Sequence, residues 1–258
     1  MKDRLIRFGQ IVFMIGVFTV LGWSTYAVVH YLRTAPGFDV KALSVSGVSE
    51  PLKRVSEEQV VGQAEFEVGT NVFRVDLNAI RERVERLQWV RYAMVQRVLP
   101  DQIIIKVVER EPIGLARIRG EVYQFDADAR ILELDPISSA SFPILDGLRR
   151  DDVTGNLAKV EVYRNVLDEL GQTELSEVHL NEALEVSVVS SSDPLVVSLG
   201  TTDFRTRWIK YLQLKAQIQQ QYPQAVKVDL RFKNQVIVKM KDDDPGEPLV
   251  WDGAKKIL

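Results

Sequence analysis

The stretch Phe8–Val29, FGQIVFMIGVFTVLGWSTYAVV, decides how the rest of the chain is organised. It contains no charged side chain and is rich in Val, Ile, Phe and Leu. Because a helix rises ~1.5 Å per residue, the stretch spans roughly 30 Å, the thickness of the hydrocarbon core of a bilayer. The sequence therefore predicts a single N-terminal transmembrane helix over residues 8–32, preceded by a short cytoplasmic tail of residues 1–7.

The charges beside this helix predict its orientation. Lys2, Arg4 and Arg7 precede it, and short basic tails stay in the cytoplasm while long domains cross the membrane largely regardless of charge. We therefore expect a single-pass type II protein of the cell inner (cytoplasmic) membrane, with a periplasmic, extracytoplasmic body. A cleaved signal peptide is the main alternative, but its apolar region is usually only ~7–15 residues long, and Tyr26–Arg33 offers no good cleavage site.

The composition excludes several classes of function. The chain has no cysteine, which rules out disulfides, thiolate nucleophiles and thiolate metal sites. Four of its 33 basic residues and one of its 36 acidic residues lie in the first 33 positions, so the body carries a net charge of about −6. Because phosphate binding requires a basic surface, nucleic acid is not an expected partner.

A compact α+β pattern follows the anchor over residues 38–112. Its order is strand, helix, helix, strand, strand (βααββ), with the helices on one face of a small sheet. Ser56 and Asp76 are the predicted caps of the two helices, because short polar side chains accept hydrogen bonds from free N–H groups at a helix start. The final strands are Val90–Leu99 and Ile103–Val108.

A second, β-rich domain is expected over residues 113–241. Short strand patterns alternate with two helical patterns, Asn156–Leu170 and Phe204–Gln221, the second with Asp203 as its predicted cap. The predicted fold class is thus a single N-terminal transmembrane helix followed by two α+β domains. The second of these is a mixed α/β domain with an antiparallel-rich sheet.

The last regular element is a hairpin of Lys227–Phe232 and Val236–Met240, with Asn234 in its turn. Because it comes last, Val236–Met240 is expected to form the edge of the sheet. Such an edge offers N–H and C=O groups to another chain. Residues 242–258 contain three consecutive aspartates and two prolines and are expected to be a flexible tail. Leu249–Trp251 is apolar enough to dock, but nothing in the sequence fixes where.

Three segments of the body resemble a known family. The GTNVF motif, Gly69–Phe73, before a helix and the LQWV motif, Leu87–Val90, after it resemble a POTRA domain. The run Arg97–Pro112, RVLPDQIIIKVVEREP, closely resembles the strand-turn-strand signature of the bacterial FtsQ/DivIB cell-division family. POTRA domains also occur in outer-membrane assembly proteins, whereas one POTRA domain directly after one anchor helix is the combination that the division family carries.

Further segments resemble the family with substitutions. Phe142–Gly147, FPILDG, carries Phe142 where the family has Leu, and the closing hairpin carries Phe232 where it has Tyr. Gln88 stands where Pro is frequent. The domain prediction survives this last departure, because Trp89 and its neighbour still supply the apolar start of a strand.

The resemblance also implies partners and a binding site. In the family, the final strand region receives a strand from small coiled-coil division proteins of the FtsB/FtsL (DivIC/FtsL) type. Carried over to this sequence, the partner-binding residues are Arg231, Phe232, Asn234, Val236, Val238 and Met240. Val236 and Val238 have a second interpretation, because alternate residues of the last strand can face the core instead.

The sequence offers no catalytic set. His30 lies at the membrane edge, which leaves His179 as one histidine for a zinc site that would need more. The G-x-S-x-G, G-x-x-x-x-G-K and G-x-G-x-x-G motifs are absent. Glu109 and Glu111 could pair for glycoside hydrolysis, but their neighbours are typical of the end of a strand. We expect no enzyme activity, no cofactor, no metal and no small-molecule substrate.

These observations predict an essential divisome scaffold at the division septum. It would link cytoplasmic and extracytoplasmic division components and control septal cell-wall synthesis through its strand-adding partners. One alternative is a POTRA-containing protein-translocation or assembly component, which would carry a barrel or further POTRA copies. A second is a cell-wall hydrolase, which would need a clustered acid pair or metal ligands.

Overall fold

The computed structural model of the chain describes residues 2–48, 50–135, 141–233, 235–241 and 249–252. They belong to two compact units that divide between Arg110 and Glu111. The first unit contains a long helix and a small α+β domain, and the second contains a large sheet with two helices. This architecture confirms the predicted fold class.

Helix α1, Lys2–Thr34, contains the apolar stretch that organises the sequence. Its segment Val12–Thr34 is long and apolar enough to cross a membrane, and none of it is buried inside the protein. Large apolar side chains such as Phe13, Phe18 and Trp23 are exposed along it. Exposure of so much apolar surface to water is unfavourable by about 25 cal/mol per Å². A bilayer is therefore the environment that this helix suits.

The rest of the first unit follows the predicted order of elements. These are β1 Ala42–Gly47, α2 Glu57–Ala64, α3 Leu77–Val84, β2 Val90–Val98 and β3 Gln102–Glu109. Strand β3 is central, parallel to β1 and antiparallel to β2. Both helices and alternate positions of β3 supply the core, which includes Val60, Ala64, Ile80, Val84, Ile103, Ile105 and Val107.

The two short helices begin where the sequence predicts caps. The Ser56 hydroxyl accepts a hydrogen bond of 3.2 Å from the backbone N–H of Gln59, whose side chain accepts one of 3.0 Å from the backbone N–H of Ser56. Asp76 accepts from the N–H groups of Asn78 and Ala79 at 3.0 and 3.1 Å. These bonds satisfy donors that have no partner within the helix, and they fix the starts of α2 and α3.

The second unit contains ten strands and two helices among its described residues. In chain order they are β4 Pro112–Ile118, β5 Glu121–Asp126, β6 Ile131–Leu132, β7 Ile144–Asp146, α4 Val153–Leu170, β8 Leu175–Leu180, β9 Val186–Ser190, β10 Asp193–Gly200, α5 Phe204–Gln221, β11 Ala225–Asp229, β12 Gln235–Met240 and β13 Leu249–Asp252. The strands form one sheet in the order β13-β12-β11-β10-β9-β8-β7-β4-β5-β6. Six of its neighbouring pairs are antiparallel, whereas β7 is parallel to both β4 and β8 and β10 is parallel to β11.

The core of the second unit lies between the sheet and the helices α4 and α5. Tyr163 of α4 and Tyr211 of α5 are fully buried there. Their hydroxyls donate to the carbonyl oxygen of Pro143 at 3.0 Å and to Oδ2 of Asp193 at 2.8 Å. Burial raises the pKa of both phenols above the ordinary value, with a further contribution from Asp193 at Tyr211. Both hydroxyls are therefore protonated donors in the core. The face of the sheet opposite to α4 and α5, here called the open face, carries the polar side chains.

Candidate partner-binding edge

Strand β12 is the element to which the sequence assigns partner binding. It pairs antiparallel with β11 on one side. On its other side it pairs antiparallel with β13, where Val236 lies opposite Trp251 and Val238 lies opposite Leu249. The prediction that β12 forms the edge of the sheet is therefore wrong over Gln235–Val238, because a second strand of the same chain covers that side.

The same pairing corrects part of the predicted tail. Residues 242–258 are expected from the sequence to be flexible, but Leu249–Asp252 form the outermost strand of the sheet. The prediction is wrong for these four residues. Pairing with β12 gives their backbone groups partners within the sheet, and this long-range contact is not visible in local composition.

Two of the predicted binding residues face the core. Val236 and Val238 are only 2% and 3% exposed. Their side chains line a small cavity together with Leu214, Ile218 and Tyr222, at the end of α5. Of the two interpretations that the sequence leaves open, the structure supports packing in the core for these side chains.

The remaining predicted residues differ in exposure. Phe232 is 46% exposed, Met240 is partly buried, and Asn234 lies outside the described residues. Side chains on a strand alternate between the two faces. The β12 side chains that alternate with the buried valines face the open side of the sheet: Gln235, Ile237 and Lys239. The sequence analysis did not assign these three residues to partner binding. The alternation of side chains along β12 was the signal that could have identified them.

Arg231 follows β11 and is held by two carboxylates of the same chain. Its Nη2 lies 2.7 Å from Oδ2 of Asp229, and its Nη1 lies 2.8 Å from Oε1 of Glu185. Its backbone N–H and its Nε both donate to Oδ1 of Asp229 at 3.0 Å. A carboxylate of a partner would therefore meet a guanidinium that two carboxylates of the same chain already hold.

These contacts shift the ionisation of all three groups. Burial opposes ionisation of Asp229, but hydrogen bonds from Arg231 outweigh it and hold the pKa of Asp229 below its ordinary value. The hydrogen bond with Asp229 is the main reason that the pKa of Arg231 is raised. Asn181, followed by Arg231, lowers the pKa of the Glu185 carboxyl. The network is therefore fully charged at neutral pH.

A second charged cluster lies on the open face, around β7. Arg117 of β4, Asp146 of β7 and His179 of β8 are register partners on adjacent strands. Nδ1 of His179 lies 3.0 Å from Oδ2 of Asp146, and Nε2 lies 3.1 Å from Oε2 of Glu177. Sequence reasoning did not bring these residues together, because they come from three strands whose order in the sheet is set by tertiary pairing.

The types of residue in this cluster are those that ligate metals. Single atoms of Asp146, Glu177 and His179 lie within 4.8 Å of one another. However, Arg117 forms ion pairs with both carboxylates: its Nη2 lies 2.7 Å from Oε1 of Glu177, and its Nε lies 3.5 Å from Oδ1 of Asp146. The hydrogen bond with Glu177 is the main reason that the pKa of Arg117 is raised. A metal cation would meet this fixed positive charge, so the geometry is that of an ion-pair network across three strands.

An apolar N-terminal helix, a βααββ domain and a larger sheet domain define a membrane-anchored POTRA protein. Residues 38–110 match the family model of the FtsQ-type POTRA domain, and residues 115–231 match the C-terminal model of the cell-division protein FtsQ/DivIB. The chain belongs to the FtsQ/DivIB family of bacterial cell-division proteins.

Similar sequences carry the same description. The cell-division protein FtsQ of Koribacter versatilis is 29% identical over 240 residues, which cover 87% of this chain and 68% of that protein. FtsQ of Nitrosospira multiformis is 28% identical over 228 residues, covering 84% of this chain and 90% of that protein. The major extracytoplasmic domain of DivIB from Geobacillus stearothermophilus is 19% identical with a TM-score of 0.29, over 44% of this chain and 97% of that structure.

Membership in this family gives the chain a general role. It is a bacterial cell-division protein. Together with the apolar helix, the family indicates a single-pass protein of the inner membrane.

Proposed function

We propose that this chain is a non-enzymatic scaffold of the division septum that binds small coiled-coil partners of the FtsB/FtsL type by strand addition at the β12 end of its large sheet. Its N-terminus lies in the cytoplasm and both soluble units lie outside the cytoplasmic membrane. The scaffold thereby links cytoplasmic division components to those that control septal cell-wall synthesis.

The observation that carries this proposal is the position of β12. Together with β11 and β13 it forms one end of the ten-stranded sheet, and a sheet end is where another chain can add a strand through backbone hydrogen bonds. Ile237 lies on the open face of β12 and the ring of Phe232 is exposed nearby in sequence, and both side chains are apolar. Backbone groups would supply affinity, and these side chains would supply specificity.

The anchor favours the same role. Lys2, Arg4 and Arg7 precede the apolar segment in the sequence, and the rest of both units follows it. This order of charges favours a cytoplasmic N-terminus. A scaffold fixed by one helix at the membrane concentrates its partners in two dimensions. It needs binding surfaces and not a catalytic site.

Depletion in the native host tests the role in division. We expect cells to continue growing without dividing and to form filaments, and re-expression of the full chain should restore septa. Growth as normal short cells after complete depletion would contradict the proposal.

A matched pair of substitutions tests the location of binding. Phe232 is 46% exposed at the β12 end, and Tyr92 is 44% exposed in β2 of the POTRA domain. We expect Phe232→Glu to weaken capture of the host's own FtsB- and FtsL-type proteins by the full-length chain, measured by site-specific crosslinking in membranes, while Tyr92→Glu leaves it unchanged. If the Phe232 variant captured these proteins as well as the Tyr92 variant does, the partner would bind at a place other than the β12 end of the sheet.

A further inference from the structure

The backbone edge of β12 already has an occupant. Strand β13 pairs antiparallel with Gln235–Val238 through the register Gln235–Asp252, Val236–Trp251, Ile237–Val250 and Val238–Leu249. Both strands lie beyond residues 115–231, the segment that matches the family model. The same four residues of β12 are the ones that a partner strand would need.

Two strands cannot hold this edge at once. Each backbone N–H of β12 that points away from β11 forms one good hydrogen bond in a sheet, so a partner strand and β13 compete for the same donors and acceptors. Strand β13 has the advantage of being tethered, since only residues 241–248 separate it from β12. A short tether of this kind gives an effective concentration in the millimolar range.

The cover is also short enough to be exchanged. Strand β13 pairs through only four residues, and on its other side it is the last strand of the sheet. A partner segment that pairs along more of β12 and adds side-chain contacts would outcompete it. The occupied edge also removes a row of open N–H and C=O groups that would otherwise invite unspecific pairing with other strands.

We propose that Leu249–Asp252 is a displaceable cover of the β12 edge, which must leave before a partner strand adds. This inference rests on the proposed function, because it assigns the cover to the site at which that function places the partner. The apparent affinity for a partner is reduced to the fraction of molecules in which the edge is uncovered. If β13 is docked about 90% of the time, its removal therefore tightens partner binding about tenfold.

The first test uses a probe from the chain itself and requires no partner. A fluorescent peptide of residues 247–254, EPLVWDGA, is titrated into the full-length chain in detergent micelles and into a variant that ends after Pro248. We expect saturable binding to the truncated variant and at least tenfold weaker binding to the full chain. A peptide with proline at the position of Trp251 is the matched control and should bind neither form. Trp251 pairs with Val236, whose backbone groups face away from β11, so proline at this position removes a ladder donor.

The outcome of this titration decides whether β13 pairs with β12. Failure of the peptide to bind the truncated variant, when circular dichroism shows that variant to be folded, would overturn the cover whatever the partner is. The full-length variant Trp251→Pro guards against misfolding of the truncation. It should bind the peptide as the truncated form does, while Lys256→Pro, outside the bounds of β13, should behave as the unaltered chain.

The second test uses the strand-forming segment of the host's own FtsB-type protein. We expect about tenfold tighter binding to the truncated chain and to Trp251→Pro than to the unaltered chain. Equal affinity overturns the cover, and weaker binding to the truncated form shows that the partner adds to the outer side of β13 instead. If the segment binds neither form while the peptide binds normally, the proposed function fails and the pairing of β13 stands.

Discussion

The side-chain amide of Asn71 donates a hydrogen bond of 3.0 Å to the backbone carbonyl of Leu32, in the last turn of α1. The same nitrogen lies 3.4 Å from the carbonyl oxygen of Ala35, and Oδ1 of Asn71 accepts a bond of 3.0 Å from the backbone N–H of Phe73. The final carbonyls of a helix have no partner within it. The GTNVF turn therefore caps the membrane helix and fastens the POTRA domain to it.

Substitution of Asn71 by Ala should loosen this connection. The side chain is buried, so its loss leaves the carbonyl groups of Leu32 and Ala35 without this donor and costs about 1–2 kcal/mol. We expect a broader distribution of distances between spin labels at Arg33→Cys and Glu67→Cys, measured in a chain that has no other cysteine. Asn78→Ala, at an exposed position of α3, is the control. An unchanged distribution in the Asn71 variant would show that other contacts fix the domain.

The valines of β12 should affect stability and not recognition. Val238 is 3% exposed and faces α5, so Val238→Ala leaves a cavity and should destabilise the second unit by about 2 kcal/mol. Val226→Ala, at an exposed position of β11, should have little effect. Hydrogen exchange of the second unit at increasing urea concentration measures the difference. Partner capture by the folded Val238 variant should equal that of the unaltered chain, and a specific loss of capture would return this side chain to the binding site.

Local sequence patterns predicted most elements, and tertiary pairing set the rest. Ser56 and Asp76 cap their helices as predicted, because capping depends on residues three or fewer positions away. Asp203 does not: it has a positive φ of 57° and its side chain makes no cap bond to α5. Similarly, two neighbouring apolar patterns in the sequence predicted the hairpin of β11 and β12. The pairing of β12 with β13 could not be predicted in this way, because the residue pattern of a strand does not show which other strand it pairs with.

The FPILDG motif has a physical reason for its glycine. Gly147 follows β7 with φ +116°, and a Cβ atom there would lie 2.1 Å from the carbonyl oxygen of Leu180. Gly147→Ala should therefore destabilise the second unit by about 3 kcal/mol or more, since both the backbone conformation and the β7–β8 contact must change. Gly120→Ala is the matched control, because Gly120 also has a positive φ (+89°) but open space around it.

The control should cost only about 1 kcal/mol, the strain of placing a side chain in that conformation. Urea midpoints from hydrogen exchange of β7 and β8 measure both variants. If the two substitutions were equally destabilising, the close approach to Leu180 would have no energetic consequence. The requirement for glycine in the FPILDG motif would then come from the positive φ of Gly147 alone.

The Asp229–Arg231 pair should make the second unit sensitive to acid. The pKa of Asp229 is lowered in the folded chain, because hydrogen bonds from Arg231 outweigh the effect of burial. A carboxyl whose pKa is lower in the folded state contributes stability that is fully present above its ordinary value of 3.8 and is lost as the pH falls through the lower, folded value. We therefore expect stability to decline from about pH 4 downward, as measured by thermal unfolding at a series of pH values.

Arg231→Met should change this pH dependence as well as the stability. Without the guanidinium, burial is left to dominate, so the pKa of Asp229 should rise above its ordinary value and the sign of its contribution should reverse. At neutral pH the variant should lose about 1–3 kcal/mol, the cost of leaving a buried acceptor poorly satisfied. The gap between variant and unaltered chain should narrow as the pH falls below about 4 and through the lowered pKa of Asp229 in the unaltered chain, because Asp229 is neutral in both chains only below that value. A gap that stays constant from pH 7 to pH 3 would mean that Arg231 stabilises the sheet by packing and not through the charge of Asp229.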